Sequence, residues 1–234
     1  MIYLTGDTHG HFERIADFCR EKKTSRADVL VILGDAGINF SGGEIDREKK
    51  VVLSALPVTL FCIHGNHEMR PSRIASYKTR RWHGGLVYAE DEFPDILFAK
   101  DGEIYDLNGH QTVVLGGAYS PKAPFCTDGE GWWADEQPSE AIKAEAEARL
   151  EQAGWQVDTV LSHTVPRAFE PEENGCLMVT PDKSTEDWLG TIEKRLSYQH
   201  WYAGHFHMDR KIGPIQILYE RVMEIETTQN DKYS

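Results

Sequence analysis

Long apolar runs are missing from this chain. No stretch of its 234 residues approaches the ~20 consecutive apolar residues that a membrane-spanning helix requires. A chain that stays out of the membrane is expected. A secretory leader is not expected either, because polarity begins at Thr5 and charge follows at once. Cysteine is sparse: Cys19, Cys62, Cys126 and Cys176 are widely scattered and form no Cys-x-x-Cys pair. They read as reduced thiols in a cytoplasmic protein, with Cys62 as a small core residue. Positive charge is in short supply. Lys and Arg number 25 against 38 Asp and Glu, a formal net charge of −13. Such a surface disfavours nonspecific contact with long DNA, RNA or anionic membrane, and leaves room for a local basic pocket. No internal repeat and no low-complexity tract is present.

What is there alternates strongly at first. The apolar runs at 2–4, 28–33 and 58–63 read as strands, the last two buried on both faces. Between them, 11–23 has apolar residues at helical spacing with basic residues at its end, and 44–56 reads as a polar helix. Strand and helix alternating in this way predict a parallel sheet of right-handed crossovers. The middle differs. Short strands at 86–88, 96–99, 103–107 and 111–115 lack intervening helices and read as antiparallel hairpins, with Asp101-Gly102 and Asn108-Gly109 as turns. A loop over 121–138 contains Trp132-Trp133, which would either cover a core edge or wall a substrate site. Ser139 caps a helix over 139–153 that Gly154 ends. Then follow a strand at 157–161, an irregular loop at 170–182, a helix from 184 to about 196, a strand at 199–203 and a hairpin of 210–212 with 215–219. The polar residues from Thr227 form a frayed tail.

The chemistry-bearing residues fall at strand ends. Gly6-Asp7-Thr8-His9-Gly10 follows the first strand, and its hard oxygen and borderline nitrogen suit Mn, Fe or Zn better than Ca. Taken alone, Asp-x-His between glycines is equally a plain strand-to-helix turn. Gly34-Asp35 ends the second strand and Gly65-Asn66-His67-Glu68 the third. His163 follows the strand after the long helix, and Gly204-His205-Phe206-His207 the next. The carboxyl ends of parallel strands share one edge of an α/β sheet, so these distant residues should converge there. The flanking Gly6, Gly34, Gly65 and Gly204 would let the backbone pass close to bound metals.

These five motifs, spanning Asp7 to His207, resemble the calcineurin-like metallophosphoesterase superfamily. Residues 116–120 and Trp132-Trp133 resemble stretches of its small bacterial and phage-type members. The resemblance implies an α/β four-layer sandwich, two mixed β-sheets flanked by helices. It implies one domain over 1–226, because the site draws on both ends of the chain, with 227–234 as a tail. It also implies two divalent transition-metal ions, Mn first, with Fe, Zn or Ni as alternatives. Asp7, His9 and His207 would bind one ion and Asn66, His163 and His205 the other, with Asp35 bridging. A bridging hydroxide would attack phosphorus, and His67 would act as general acid at the leaving oxygen. The activity expected is phosphomonoester hydrolysis. The alternatives are a phosphodiesterase on a cyclic nucleotide or nucleic acid, and a non-catalytic metal-binding scaffold. The partner would be a phosphate ester: a small molecule, a nucleotide or a phosphoprotein.

One departure stands out. Relatives in the protein-phosphatase branch carry an Asp three residues after the bridging one, where this chain has Ile38, and Asn39 replaces the Arg that follows. Glu68 or Asn39 could orient His67 instead. Arg70, Lys122 and Arg167 follow motif loops or lie beside Gly116-Gly117, where a phosphate dianion wants a cation.

Overall fold

A computed structural model describes residues 1–121, 123–129, 131–173, 176–177 and 181–226. The strands are β1 Ile2–Thr5, β2 Val29–Ile32, β3 Thr59–Cys62, β4 Tyr77–Trp82, β5 Gly85–Glu90, β6 Ile96–Ala99, β7 Ile104–Leu107 and β8 His110–Leu115. After them come β9 Thr159–Ser162, β10 Glu172–Glu173, β11 Cys176–Leu177, β12 His200–Ala203, β13 Arg210–Ile212, β14 Ile215–Ile217 and β15 Met223–Glu224. The helices are α1 Glu13–Lys22, α2 Glu44–Ser54, α3 Glu140–Gln152 and α4 Ser184–Glu193. Two mixed sheets result. One runs β15-β1-β2-β3-β6-β5-β4, the other β13-β14-β12-β9-β8-β7, and β10 with β11 makes a separate two-stranded ribbon.

Side-chain alternation along the strands builds the layers. Val29 and Val31 of β2 enter the core between the sheets, together with Phe61, Val114, Leu161 and Tyr202. Leu30 and Ile32 face the other way, onto Ile15 and Phe18 of α1 and Leu53 of α2. On the far side, Val160 of β9 and Trp201 of β12 pack against Leu150 of α3 and Leu189 of α4. The order is helices, sheet, sheet, helices: the expected four-layer sandwich. Within it β1, β2, β3 and β6 are parallel, as are β8, β9, β12 and β14.

One local expectation changes, and two strands appear that the sequence reading lacked. Asp101-Gly102 is not a hairpin turn. β6 is hydrogen-bonded in the first sheet and β7 in the second, so this turn carries the chain from one sheet to the other. The polar run Tyr77–Trp82 forms an edge strand that periodicity does not reveal, because Lys78, Thr79, Arg80 and Arg81 are all exposed. Six register pairs with β5 supply its stability instead. Finally, Met223–Glu224 returns to pair antiparallel with β1. The cap at Ser139 stands: its hydroxyl accepts the Ile142 N–H at 3.3 Å. No helix among the described residues is long and apolar enough to cross a membrane.

Candidate active site

Parallel β1, β2 and β3 end at Asp7, Asp35 and Asn66, and parallel β9 and β12 end at His163 and His205, so both sheets deliver polar side chains to a common edge. Two cross-sheet bonds lock that edge. Asp7 Oδ1 accepts the His205 N–H at 2.8 Å, and His163 Nδ1 lies 2.8 Å from the Leu33 carbonyl oxygen. The second contact makes Nδ1 the protonated nitrogen and leaves Nε2 of His163 its lone pair for the site.

Two donor groups form. In the first, His9 Nε2 and His207 Nε2 are 2.8 Å apart and lie 3.6 and 3.2 Å from Asp7 Oδ2. In the second, Asn66 Oδ1 lies 2.9 Å from His163 Nε2 and 3.0 Å from His205 Nδ1. Asp35 stands between them. Its Oδ2 is 4.0 Å from His9 Nε2 and 3.6 Å from His163 Nε2. Its Oδ1 accepts the backbone N–H groups of Asn66 and His67 at 2.8 and 2.7 Å. One carboxylate oxygen therefore faces both groups, while the other holds the third strand-end loop in place.

The donor set fits divalent metal ions. Asp7 Oδ2 is buried without a hydrogen-bond partner, which costs free energy unless a cation occupies the space before it. Ligands about 2.0–2.2 Å from a common ion sit roughly 3–3.5 Å apart, the spacing of the first group. Titration divides the imidazoles. Burial lowers His163, but Asp35 and Asp7 outweigh it and push His163 up to about 9. The hydrogen bond to Asp7 raises His207. At both, a cation would take the place of the proton. The other two go down. Burial, with His163 nearby, pushes the His205 imidazole down to about 3, and burial also lowers His9. Both present the neutral imidazole that metal binding needs. Burial alone would raise the Asp35 carboxyl, but His163 and the surrounding hydrogen bonds hold it well below the usual carboxylate range.

Backbone strain is concentrated here. His9, Asp35, His205 and His207 all have positive φ, at 47°, 48°, 68° and 49°. Non-glycine residues rarely adopt this region, and such strain clusters at functional sites. His205 and His207 thus reach their separate groups through left-handed turns and not by alternation along an extended segment. The neighbouring glycines make room for ligand side chains more than for metals. A Cβ on Gly34 would lie 2.0 Å from His163 Nδ1, and one on Gly65 2.0 Å from Asp35 Oδ1.

His67 lines a cleft of about 320 Å³ together with His9, Gly37, Phe40, Lys49 and His207. Its ring meets that of His9 edge-on, with centroids 5.5 Å apart. The two residues offered as its orienters are engaged elsewhere. Glu68 is buried and directs its oxygens at the Ala36 and Gly37 N–H groups, 3.4 and 3.3 Å away. Burial, with Asp35 nearby, pushes the Glu68 carboxyl up to about 8. Asn39 Oδ1 accepts the Tyr77 hydroxyl at 3.0 Å. Two of the three cations from sequence, Arg70 and Arg167, are engaged away from the cleft. Arg70 is buried, with Nη1 2.5 Å from Asp101 Oδ2 and Nε donating to the Asp135 carbonyl. Arg167 is exposed and pairs with Asp187 at 3.2 Å. Lys122 lies outside the described residues. Trp133 is fully buried and packs edge-on against Phe40, so it backs the cleft from within the core.

Four contributors escaped sequence reading. Arg14 Nη2 donates to the Gly6 and Asp7 carbonyls at 3.0 and 2.6 Å, and Tyr219 stacks on His207 with centroids 4.7 Å apart. Lys49 and Phe40 line the cleft itself. A large apolar residue inside the polar, glycine-rich run Asn39-Phe40-Ser41-Gly42-Gly43 is a signal for Phe40. Lys49, in a helix of mixed charge, has none.

A two-sheet sandwich with Asp, Asn and His gathered at its shared strand-end edge is the architecture of metal-dependent phosphoester hydrolases. The family model described as calcineurin-like phosphoesterase matches residues 1–209, and the chain belongs to that family. No curated protein matches the sequence. Two solved structures share the fold. TT1561 of Thermus thermophilus superposes with a TM-score of 0.52 at 10% identity, over 93% of this chain and 87% of its own. A second gives 0.54 at 13% identity, over 93% and 88%.

Proposed function

We propose that the protein hydrolyses a phosphate monoester with two divalent transition-metal ions, manganese first and iron, zinc or nickel as alternatives. Asp7, His9 and His207 would hold one ion, Asn66, His163 and His205 the other, and Asp35 would serve both. The observation that carries this reading is the single Asp35 oxygen facing His9 and His163, the link a dinuclear centre requires. Bound ions of this kind neutralise phosphoryl oxygens and make a water nucleophilic near neutral pH. The remaining work falls to the chain. Buried Asp7, Asp35, Asn66 and His163 keep the donors in place without reorganisation. His67, at the wall of the cleft, donates a proton to the leaving oxygen as that bond breaks.

In this reading the one esterified group of a monoester lies in the cleft that His67 lines. A phosphodiesterase acting on a cyclic nucleotide would use the same centre, whereas the net charge of −13 argues against long nucleic acid. The complete donor set disfavours a non-catalytic scaffold. One domain over 1–226 is supported by a core that includes Ile2, Ile225 and residues of both sheets. The unpaired Cys19, Cys62 and Cys126 suit the reducing cytoplasm.

The test is hydrolysis with added manganese of p-nitrophenyl phosphate, bis-p-nitrophenyl phosphate, cyclic nucleotides and a phosphopeptide. Monoesters are expected to turn over fastest. Asp35→Asn should lower the rate at least ~100-fold with the fold retained, a loss on the scale of removing a preorganised electrostatic group. Faster turnover of the diesters selects the second reading. No turnover of any ester by metal-loaded protein selects the scaffold.

A further inference from the structure

Besides His9, His67 and His207, the cleft is lined by two residues of another kind, Phe40 and Lys49. Phe40 is 44% exposed, and its ring is braced by buried Trp133, centroids 5.2 Å apart at 81°. A ring already held in position loses little freedom when a ligand packs against it. Lys49 reaches the same cleft from α2. Its ammonium donates to the Gly37 carbonyl at 2.8 Å and has no carboxylate partner among the described residues. An ammonium has three donors, so donors remain for a ligand. Arg70 and Arg167, by contrast, are committed to Asp101 and Asp187. An acidic protein thus places a braced aromatic ring and a cation without a carboxylate partner among the described residues on one cleft, which His67 also lines.

If His67 protonates the leaving oxygen, the leaving group departs along the wall that His67 shares with Phe40 and Lys49. We propose that Phe40 and Lys49 form the leaving-group subsite, and that it selects phosphate esters of a nucleoside-type alcohol. The flat heteroaromatic ring stacks on Phe40, and an acceptor oxygen of the same group receives the Lys49 ammonium. Stacking on an aromatic side chain tolerates any base, because every base has a π-face. Selection is therefore for the class of leaving group and not for one base. The assignment rests on the phosphomonoesterase reading, so its test keeps the two apart.

Steady-state kinetics compares a nucleoside 5′-monophosphate with glycerol 3-phosphate, in wild type, Phe40→Leu, Phe40→Tyr and Lys49→Gln, with metal content measured throughout. Phe40→Leu is expected to lower kcat/KM for the nucleotide about tenfold more than for glycerol 3-phosphate, the scale of one lost base–aromatic stack, mostly through KM. Phe40→Tyr should restore the preference. Lys49→Gln should also cost the nucleotide more. Equal effects of Phe40→Leu on both esters overturn the stacking role. Equal effects of Lys49→Gln on both move Lys49 to the phosphate and overturn its part of the assignment. If wild type cleaves neither ester, the monoesterase reading has failed, and the subsite is then read by calorimetric titration of the uncharged nucleoside. Binding that weakens about tenfold in Phe40→Leu upholds the subsite. Absent or unchanged binding overturns it.

Discussion

His67 shares its cleft with His9 and His207 but belongs to neither donor group, so the proposed proton transfer is kept apart from the proposed metal binding. Its neighbour Glu68 shows how much adjacent residues can differ in use. Glu68 faces inward and braces the Ala36-Gly37 backbone behind Asp35, while His67 faces the cleft. The role given to His67 makes a prediction about leaving groups. General acid catalysis supplies typically ~10²–10⁴-fold, and most of it is needed when the departing oxygen is a basic alkoxide. His67→Ala should slow an alkyl phosphate or phosphoserine ester at least ~100-fold more than p-nitrophenyl phosphate, whose phenolate leaves readily. Metal content should not change. Parallel slowing of both esters would instead assign His67 to phosphate binding.

At the scale of elements, the site is made by where strands stop. β2 ends at Gly34-Asp35 with both residues at positive φ, 99° and 48°. Gly34 has a double duty, because its φ favours glycine and His163 fills the space a Cβ would take. Gly34→Ala is therefore expected to displace His163 and to cost about 2–4 kcal/mol, combining overpacking with backbone strain. Gly154→Ala supplies the comparison. Gly154 also has positive φ, 66°, but nothing lies within 4 Å of its Cβ position. That variant should lose only about 1–2 kcal/mol, the cost of the left-handed backbone for an L-residue, and keep its activity. Denaturant melts of both variants, with metal content, give the check. Equal losses of stability, with metal binding intact in Gly34→Ala, would show that the His163 contact is not restrictive.

Across the whole molecule, the two sheets meet at the site as well as in the core. Asp7, Asp35 and Asn66 come from one sheet, and His163 and His205 from the other. Ions held by both sheets, as proposed, would stabilise the sandwich by mass action, about 4 kcal/mol when free metal exceeds Kd a thousandfold. For a chain of this size that amounts to a rise in Tm of roughly 10 °C. Thermal unfolding with added manganese and with chelator should show a difference of this order, and metal quantification should approach two equivalents per chain. One tight equivalent with full activity, or a Tm indifferent to chelator, would be incompatible with a dinuclear centre spanning the sheets.

The sequence alone determined which residue types stand at the strand ends, the parallel order of β1, β2 and β3, and the capped helix α3. Each is written locally, as apolar runs, helical spacing, glycine stops and a serine cap. It also placed Ile38 three residues after Asp35, where the resemblance to the protein-phosphatase branch implies an Asp. Tertiary structure decided the rest. Only the topology takes the chain between sheets at Asp101-Gly102, pairs exposed Tyr77–Trp82 with β5, and brings β15 back to β1, because edge pairing depends on backbone partners and not on side-chain pattern. Only the packed loops turn a single Asp35 oxygen toward both donor groups and give Glu68 to the backbone. Phe40 and Lys49 meet at the cleft because a glycine-rich loop and a helix converge there, a juxtaposition that no spacing along the chain encodes.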